Sequence, residues 1–322
     1  MKVSFCVSLL LTAAIASSAV CHAQDYPART IRILVAYTPG GGTDLLGRLL
    51  AKKLSEAWGQ QVIVENRPGA GGNIGTDAMA KAAPDGYTLG IAPSTHAIAP
   101  GLYSKLPFDA IRDFTFISLI ASGPNIVVAH PSVPASTVGE LITLAKRRPG
   151  QLTFASAGIG ATTHLAGEYF KSVAAINTLH IPYKGSSQAQ IDLVGGQVSY
   201  MVDSMPSALP KVQAGRTRAL ATTGTKRFAA LPKVPTVIES GLDYQSISWW
   251  GVVGPAGIPQ PVVNKLLAEI TRIMSQPDIK EMVALQGADA VTSTPQEFLD
   301  WVRRETALYA KIIKTANIRI EP

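Results

Sequence analysis

Cysteine is nearly absent from this chain. The 322 residues hold two, Cys6 and Cys21, both near the start. Everything after position 21 therefore has no disulfide framework, no thiolate nucleophile and no cysteine-based metal site. Charged residues make up only 16% and aromatic residues 7%. There is no His-Glu-x-x-His, no Gly-Lys-Ser/Thr and no Gly-x-Ser-x-Gly, which removes the usual signals for a zinc protease, a nucleotide P-loop and a hydrolase elbow. The histidines at 96, 130, 164 and 180 are scattered. His164 and Glu168 lie one helical turn apart, a spacing that reads as a solvated contact rather than a metal pair. No metal and no cofactor are expected.

Beyond the N-terminus, no run is apolar enough to span a bilayer. The N-terminus itself reads as an export signal over residues 1–23. Lys2 supplies the positive end, Val3 to Val20 carries no charge, and Cys21-His22-Ala23 fits a small-x-small cleavage site, so the mature chain is expected to begin near Gln24. A membrane anchor and a lipidated Cys21 are the competing readings. The run is rich in Ala and Ser with no stop-transfer charges, and Val20 is large for the residue before a lipidated cysteine. The expected location is the periplasm.

What is present is an ordinary globular composition, 47% hydrophobic, long enough for two domains. The formal net charge is +7; removing Lys2 with the leader leaves 28 basic against 22 acidic residues, or +6. The basic residues are spread out, and the small clusters (Lys52-Lys53, Lys146-Arg147-Arg148, Arg303-Arg304) sit in amphipathic stretches, so they read as solvated helix faces and not as a nucleic-acid footprint. A diffuse positive field still favours anionic ligands.

Strand and helix patterns alternate from Tyr26. Ile31 to Tyr37 reads as a buried strand, Gly40–Asp44 as a turn, and Leu45, Leu46, Leu49, Leu50, Leu54 and Trp58 recur at helical spacing until Gly59. Strands are predicted over 61–65 and 87–92 and a helix over 73–83. The pattern restarts with a strand over 152–155, the small-residue loop Ser156–Thr163, a helix over 164–173 and a strand over 178–182. Thr43 and Thr162 are 119 positions apart and Gly69 and Gly185 are 116 apart, which points to two lobes of similar construction. Ile126–Ala129 and Ser248–Val253 read as crossings between them, and strands are predicted over 198–202 and 218–222. The expected fold is α/β and two-lobed, a clamshell in which each lobe is a mostly parallel sheet flanked by helices. Residues 24–125 with 248–322 form one lobe and 126–247 the other. Its ligand would lie in the cleft, outside the carboxyl ends of the strands.

Two loops carry the chemistry. In Gly40–Asp44, Gly41 and Gly42 let the backbone approach a ligand and Thr43 adds a hydroxyl, all at a helix N-terminus with free N–H groups. A tight turn with a cap is the alternative. The second loop repeats the parts with Ala157, Gly158, Thr162 and Thr163, and a matched pair, one per lobe, points to a shared anion site. Gly69–Gly75 resembles a dinucleotide fingerprint but its third glycine falls one residue late. Ser156 precedes Gly158, yet no base is placed by the sequence. Asp203 follows the predicted strand over 198–202, where it would face the cleft or else cap a helix near Ser204 and Pro206. Trp249 and Trp250 read as core or hinge packing before a ligand wall.

With these motifs in order, the chain resembles the substrate-binding proteins of tripartite tricarboxylate transporters, the Bug-type receptors. The marks are YPARTIRILVAYTPGGGTD, VIVENRPGAGGNIG, APDGYTL, LTFASAGIGATTHLAG, HIPYKG and AGRTRALATTG, spread over the whole mature chain. The resemblance implies a periplasmic receptor of type II-like fold that closes on its ligand. It implies that Tyr37–Asp44 and Ala157–Thr163 hold one carboxylate, that Ser94, Thr95 and Asp203 face the variable part of the ligand, and that Tyr183 stands near it. The ligand would be a dicarboxylate, an acidic amino acid or an aromatic acid, and the partner a membrane permease. The chain is expected to act as a monomer, with no catalysis. Many relatives carry a smaller or differently shaped residue where this chain has Tyr37, which would restrict the ligand or stack on a ring. A ligand sensor for a signalling partner needs the same cleft; a cleft hydrolase would depend on Ser156 or His164.

Overall fold

The computed structural model describes residues 26–285, 287–315 and 318; the expected leader lies outside the described residues. Strand β1 (Ile31–Val35) leads through helix α1 (Gly42–Trp58) to β2 (Val62–Asn66), and α2 (Asn73–Ala80) leads to β3 (Thr88–Pro93). Helix α3 (Thr95–Leu102) precedes the long strand β4 (Phe114–Ala129). Then come α4 (Val138–Arg147), β5 (Thr153–Ser156), α5 (Thr162–Ala174), β6 (Leu179–Pro182), α6 (Ser186–Val194), β7 (Tyr200–Ser204), α7 (Met205–Gln213) and β8 (Arg218–Thr222). Strand β9 (Ile247–Pro255) returns the chain, followed by α8 (Gln260–Ser275), α9 (Pro277–Leu285), β10 (Asp289–Ala290) and α10 (Pro295–Thr315).

Local sequence explains the element ends. Leu46, Leu50 and Leu54 bury one stripe of α1 against the sheet, and Gly59 closes the helix at φ +63°, a left-handed position that suits glycine. At α10, Thr294 Oγ1 accepts from the Glu297 N–H at 3.2 Å while Glu297 Oε2 accepts from the Thr294 N–H at 2.8 Å, a reciprocal capping box.

Each lobe has a three-stranded parallel part, β2-β1-β3 in the first and β6-β5-β7 in the second. The remaining pairings are antiparallel, because β4 and β9 cross between lobes in opposite directions. The predicted strand over 126–129 is only the end of β4. From Phe114 to Pro124 this strand pairs with β9, and from Asn125 to Ala129 with β7 and β8. The exchange falls at Pro124, which has no N–H to give to a ladder. Two apolar clusters cover the first sheet, one under α1 and α8 and one under α10, and two more cover the second. Ala157 and Ala161 of the second half join the first cluster, so the lobes touch.

Candidate functional site

The carboxyl ends of β1, β3, β5 and β7 meet a cavity of about 450 Å³, mouth included. Five helices begin at its wall: α1 through Gly42 and Thr43, α3 through Thr95, α5 through Thr162 and Thr163, α6 through Ser186, and α7 through its cap residue Ser204. None of the five has a side-chain hydrogen bond at its N-cap. By contrast, α4 is capped conventionally, with Thr137 accepting from the Glu140 N–H. None of the lining side chains is charged. The electrostatic character of the cavity therefore comes from backbone N–H groups and helix dipoles, each of which favours an anion.

Nine of the thirteen sequence-nominated residues line this cavity: Tyr37, Gly41, Gly42, Thr43, Ser94, Thr95, Ala157, Thr162 and Thr163. The Tyr37 hydroxyl meets Gly71 O at 2.9 Å and Thr95 Oγ1 at 2.8 Å, so its phenol is engaged by the seam, and burial raises its pKa. Thr43 Oγ1 accepts from Trp250 Nε1 at 3.1 Å, and Thr163 Oγ1 accepts from the Ala157 N–H at 2.8 Å.

Four nominated residues lie elsewhere. Asp44 is in the first turn of α1, but its carboxylate turns back to the Gly40 N–H, Arg48 Nε and Asn66 Nδ2, each at 2.9 Å. Burial pushes its pKa up, and these three partners outweigh that and hold it below the ordinary carboxylate value. Asp203 is fully buried inside β7 because the strand runs two residues further than the apolar pattern indicates, pairing Ser204 with Asn125 of β4. It caps no helix. Its carboxylate accepts from Ser186 Oγ at 2.9 Å, the Ser204 N–H at 2.8 Å and Gln190 Nε2 at 2.8 Å, and burial nevertheless raises its pKa. Gly158 and Tyr183 line an adjoining groove with Tyr103 and Gly69–Gly72, which shares Tyr37 and Ala157 with the cavity. There the Tyr183 hydroxyl donates to Asp192 at 2.7 Å.

Sequence reasoning missed Ser186, Ser204, Ser248 and Pro93, which carry no motif. Trp250 joins the first core cluster, as the sequence reading expected, and it reaches the site as well. The indole of Trp250 lines the cavity, whereas Trp249 is fully buried against Phe298, with Nε1 on Glu305 at 3.1 Å. Adjacent positions on a strand point to opposite faces, so only one of the two can reach the site.

His164 is not the solvated partner of Glu168. It is buried, it stacks on His180 at 4.2 Å between centroids, and its Nδ1 accepts from the Gly160 N–H at 3.1 Å. His180 Nε2 stands 2.7 Å from Ser156 Oγ, a base that the sequence spacing of 24 residues concealed. Burial lowers the pKa of His164 to about 4, with Lys171 adding to the effect. Burial, with His164 and Lys171, lowers that of His180 to about 3. Both rings are thus neutral braces of the Ala157–Thr163 loop. No group of three His, Cys, Asp or Glu side chains fit to hold a metal occurs among the described residues.

Two α/β lobes joined by crossing strands, with a cavity of uncapped helix N-termini at the strand ends, define a two-lobed solute-binding protein. The chain belongs to the tripartite tricarboxylate transporter family receptors: the family model matches residues 46–318. It is 36% identical over 304 residues to BugT of Bordetella pertussis, covering 93% of each chain. An R. palustris protein solved with adipate superposes with a TM-score of 0.89 at 35% identity, over 92% of this chain and 99% of that one. MatC from Rhodopseudomonas palustris with bound malate gives 0.86 at 29%, over 89% of this chain and 100% of the other.

Proposed function

We propose that this protein is an extracytoplasmic receptor that captures a small organic carboxylate between its lobes and delivers it to a membrane permease. The observation that carries this reading is the convergence of five helix N-termini, none capped by the side chain of its own N-cap residue, on a cavity with no charged lining residue. The matched loops Gly41–Thr43 and Ala157–Thr163 would take one carboxylate from both sides, so that binding favours the closed arrangement. Residues 24–125 with 248–322 would move as one body and 126–247 as the other. The pivot would lie where Asn125, Thr223 and Ser246 are tied together: Asn125 N–H to Thr223 Oγ1 at 2.8 Å and Asn125 Nδ2 to Ser246 Oγ at 2.7 Å. The relatives solved with adipate and malate support the ligand class. No described helix is long and apolar enough to cross a membrane, which fits a receptor working beside one in the periplasm.

Calorimetry with a panel of mono- and dicarboxylates tests the reading. Saturable binding without chemical change is expected; a chain indifferent to every acid in the panel would defeat it. A cleft hydrolase is favoured only by the Ser156–His180 contact. Ser156 is fully buried, outside the cavity lining, and its hydroxyl also contacts Gly158. Ester turnover abolished by Ser156→Ala would establish that alternative.

A further inference from the structure

Four hydroxyls of the cavity wall fall into two kinds. Thr43 and Thr163 accept from Trp250 Nε1 and from the Ala157 N–H, so each keeps its proton free to donate. Ser186 and Ser248 are wired the other way. Ser186 donates to Asp203 Oδ1 at 2.9 Å, and Ser248 donates to Asn125 Oδ1 at 2.6 Å. Each of these two directions is set by the shell behind it. Asp203 is fully buried and already receives the Ser204 N–H on the same oxygen and Gln190 Nε2 on the other. Asn125 gives its Nδ2 to Ser246 Oγ, which turns its Oδ1 toward Ser248.

A hydroxyl whose proton is spent can only accept. A carboxylate oxygen has nothing to give it, and an unsubstituted methylene chain would cover the serine lone pairs without offering them a donor. Leaving such acceptors buried and unmatched is costly, and a site built to bond a ligand hydroxyl discriminates strongly against the analogue that lacks it.

We propose that the ligand is a carboxylate whose chain carries its own hydrogen-bond donor, a hydroxyl or an ammonium. Ser186 and Ser248 would be the acceptors that select it over the unsubstituted acid of the same length, with Asp203 and Asn125 as positioning residues. This rests on the carboxylate reading above and adds to it the character of the chain.

The test is calorimetry on matched pairs: succinate against malate and aspartate, butyrate against 3-hydroxybutyrate, and glutarate against glutamate. The donor-bearing member of at least one pair is expected to bind tighter by about tenfold or more. In Ser186→Ala or Ser248→Ala that preference shrinks to within about threefold, chiefly by weaker binding of the donor-bearing acid. Ser186→Thr and Ser248→Thr keep a hydroxyl and restore it, which separates ligand selection from a folding defect. Equal or tighter binding of the plain acid in every pair overturns the proposal while leaving the carboxylate reading intact. So does a preference that survives both alanine changes. No binding by any member of the series overturns both.

Discussion

Thr95 and Thr162 join the two lobes. Their hydroxyl oxygens lie 2.9 Å apart, and Thr95 Oγ1 also accepts from the Thr162 N–H at 3.1 Å, so the first residue of α3 meets the first residue of α5 across the cavity. The Tyr103 hydroxyl on Ile159 O at 2.9 Å and the contact of Thr38 Oγ1 with Ser187 Oγ at 3.0 Å extend the seam on either side. The arrangement is closed, and some of its closing bonds need no ligand. Thr95→Val removes those at Thr95 without changing side-chain bulk. Ligand affinity is expected to fall about three- to tenfold with a modest loss of thermal stability, since three neutral hydrogen bonds meet at this hydroxyl, one with Tyr37 and two with Thr162. Calorimetry beside a melting curve checks it, and unaltered affinity would show that Thr95 plays no part in closure.

Gly71 is a steric requirement of the same seam. A β-carbon there would collide with the Ile159 carbonyl of the other lobe, and its φ of +65° disfavours a side chain besides. Gly185 is crowded in the same way by Thr38. Gly185→Ala, at a backbone angle free of left-handed strain, is expected to wedge the lobes apart. Small-angle scattering should give a larger radius of gyration with ligand present, and binding should weaken by at least tenfold. A variant as compact as the parent would refute the wedge.

The stacked histidines make stability depend on pH. An exposed histidine titrates near 6.5, while burial holds His164 to about 4 and His180 to about 3 in the fold. The fold thus favours the neutral rings. Their contribution is complete above pH 6.5 and is lost as pH falls from 6.5 through about 4 for His164 and toward about 3 for His180, where the unfolded chain takes up protons that the folded one does not. Melting temperature should decline across that window, with Lys171, paired to Glu168 at 2.9 Å, adding repulsion once the rings charge. His164→Asn keeps an acceptor for the Gly160 N–H and should flatten the decline; an unchanged slope would rule His164 out as its cause.

Trp250 should matter to binding more than to folding. Trp250→Phe keeps a ring on the wall and frees Thr43 Oγ1 from its indole donor. A fall in affinity of about three- to tenfold is expected, with a melting temperature within a few degrees of the parent. Trp249→Phe should show the opposite balance, because Trp249 is fully buried and bonded to Glu305. Identical behaviour of the two variants would contradict their opposite placement.

Much of the site was legible because backbone chemistry writes it. An anion site made of helix N-termini needs glycines and a hydroxyl next to a strand end, and Gly41-Gly42-Thr43 and Ala157–Thr163 display that need in order. The same loops, with the alternation of strand and helix patterns, determine two α/β lobes. Tertiary structure decided what local pattern cannot encode. Asp203 went inside β7 because β4 continued the ladder past the apolar run. Ser186 and Ser248 became site residues only because α6 and β9 converge on one cavity, and their hydroxyls became acceptors only because Asp203 and Asn125 lie behind them. Ser156 and His180 met across neighbouring parallel strands. Periodicity and turn chemistry act over a few residues, so the sequence by itself settles elements and loops. Which side chains face one another, and which of them holds the proton, depends on contacts between distant segments that form only when the sheets pack.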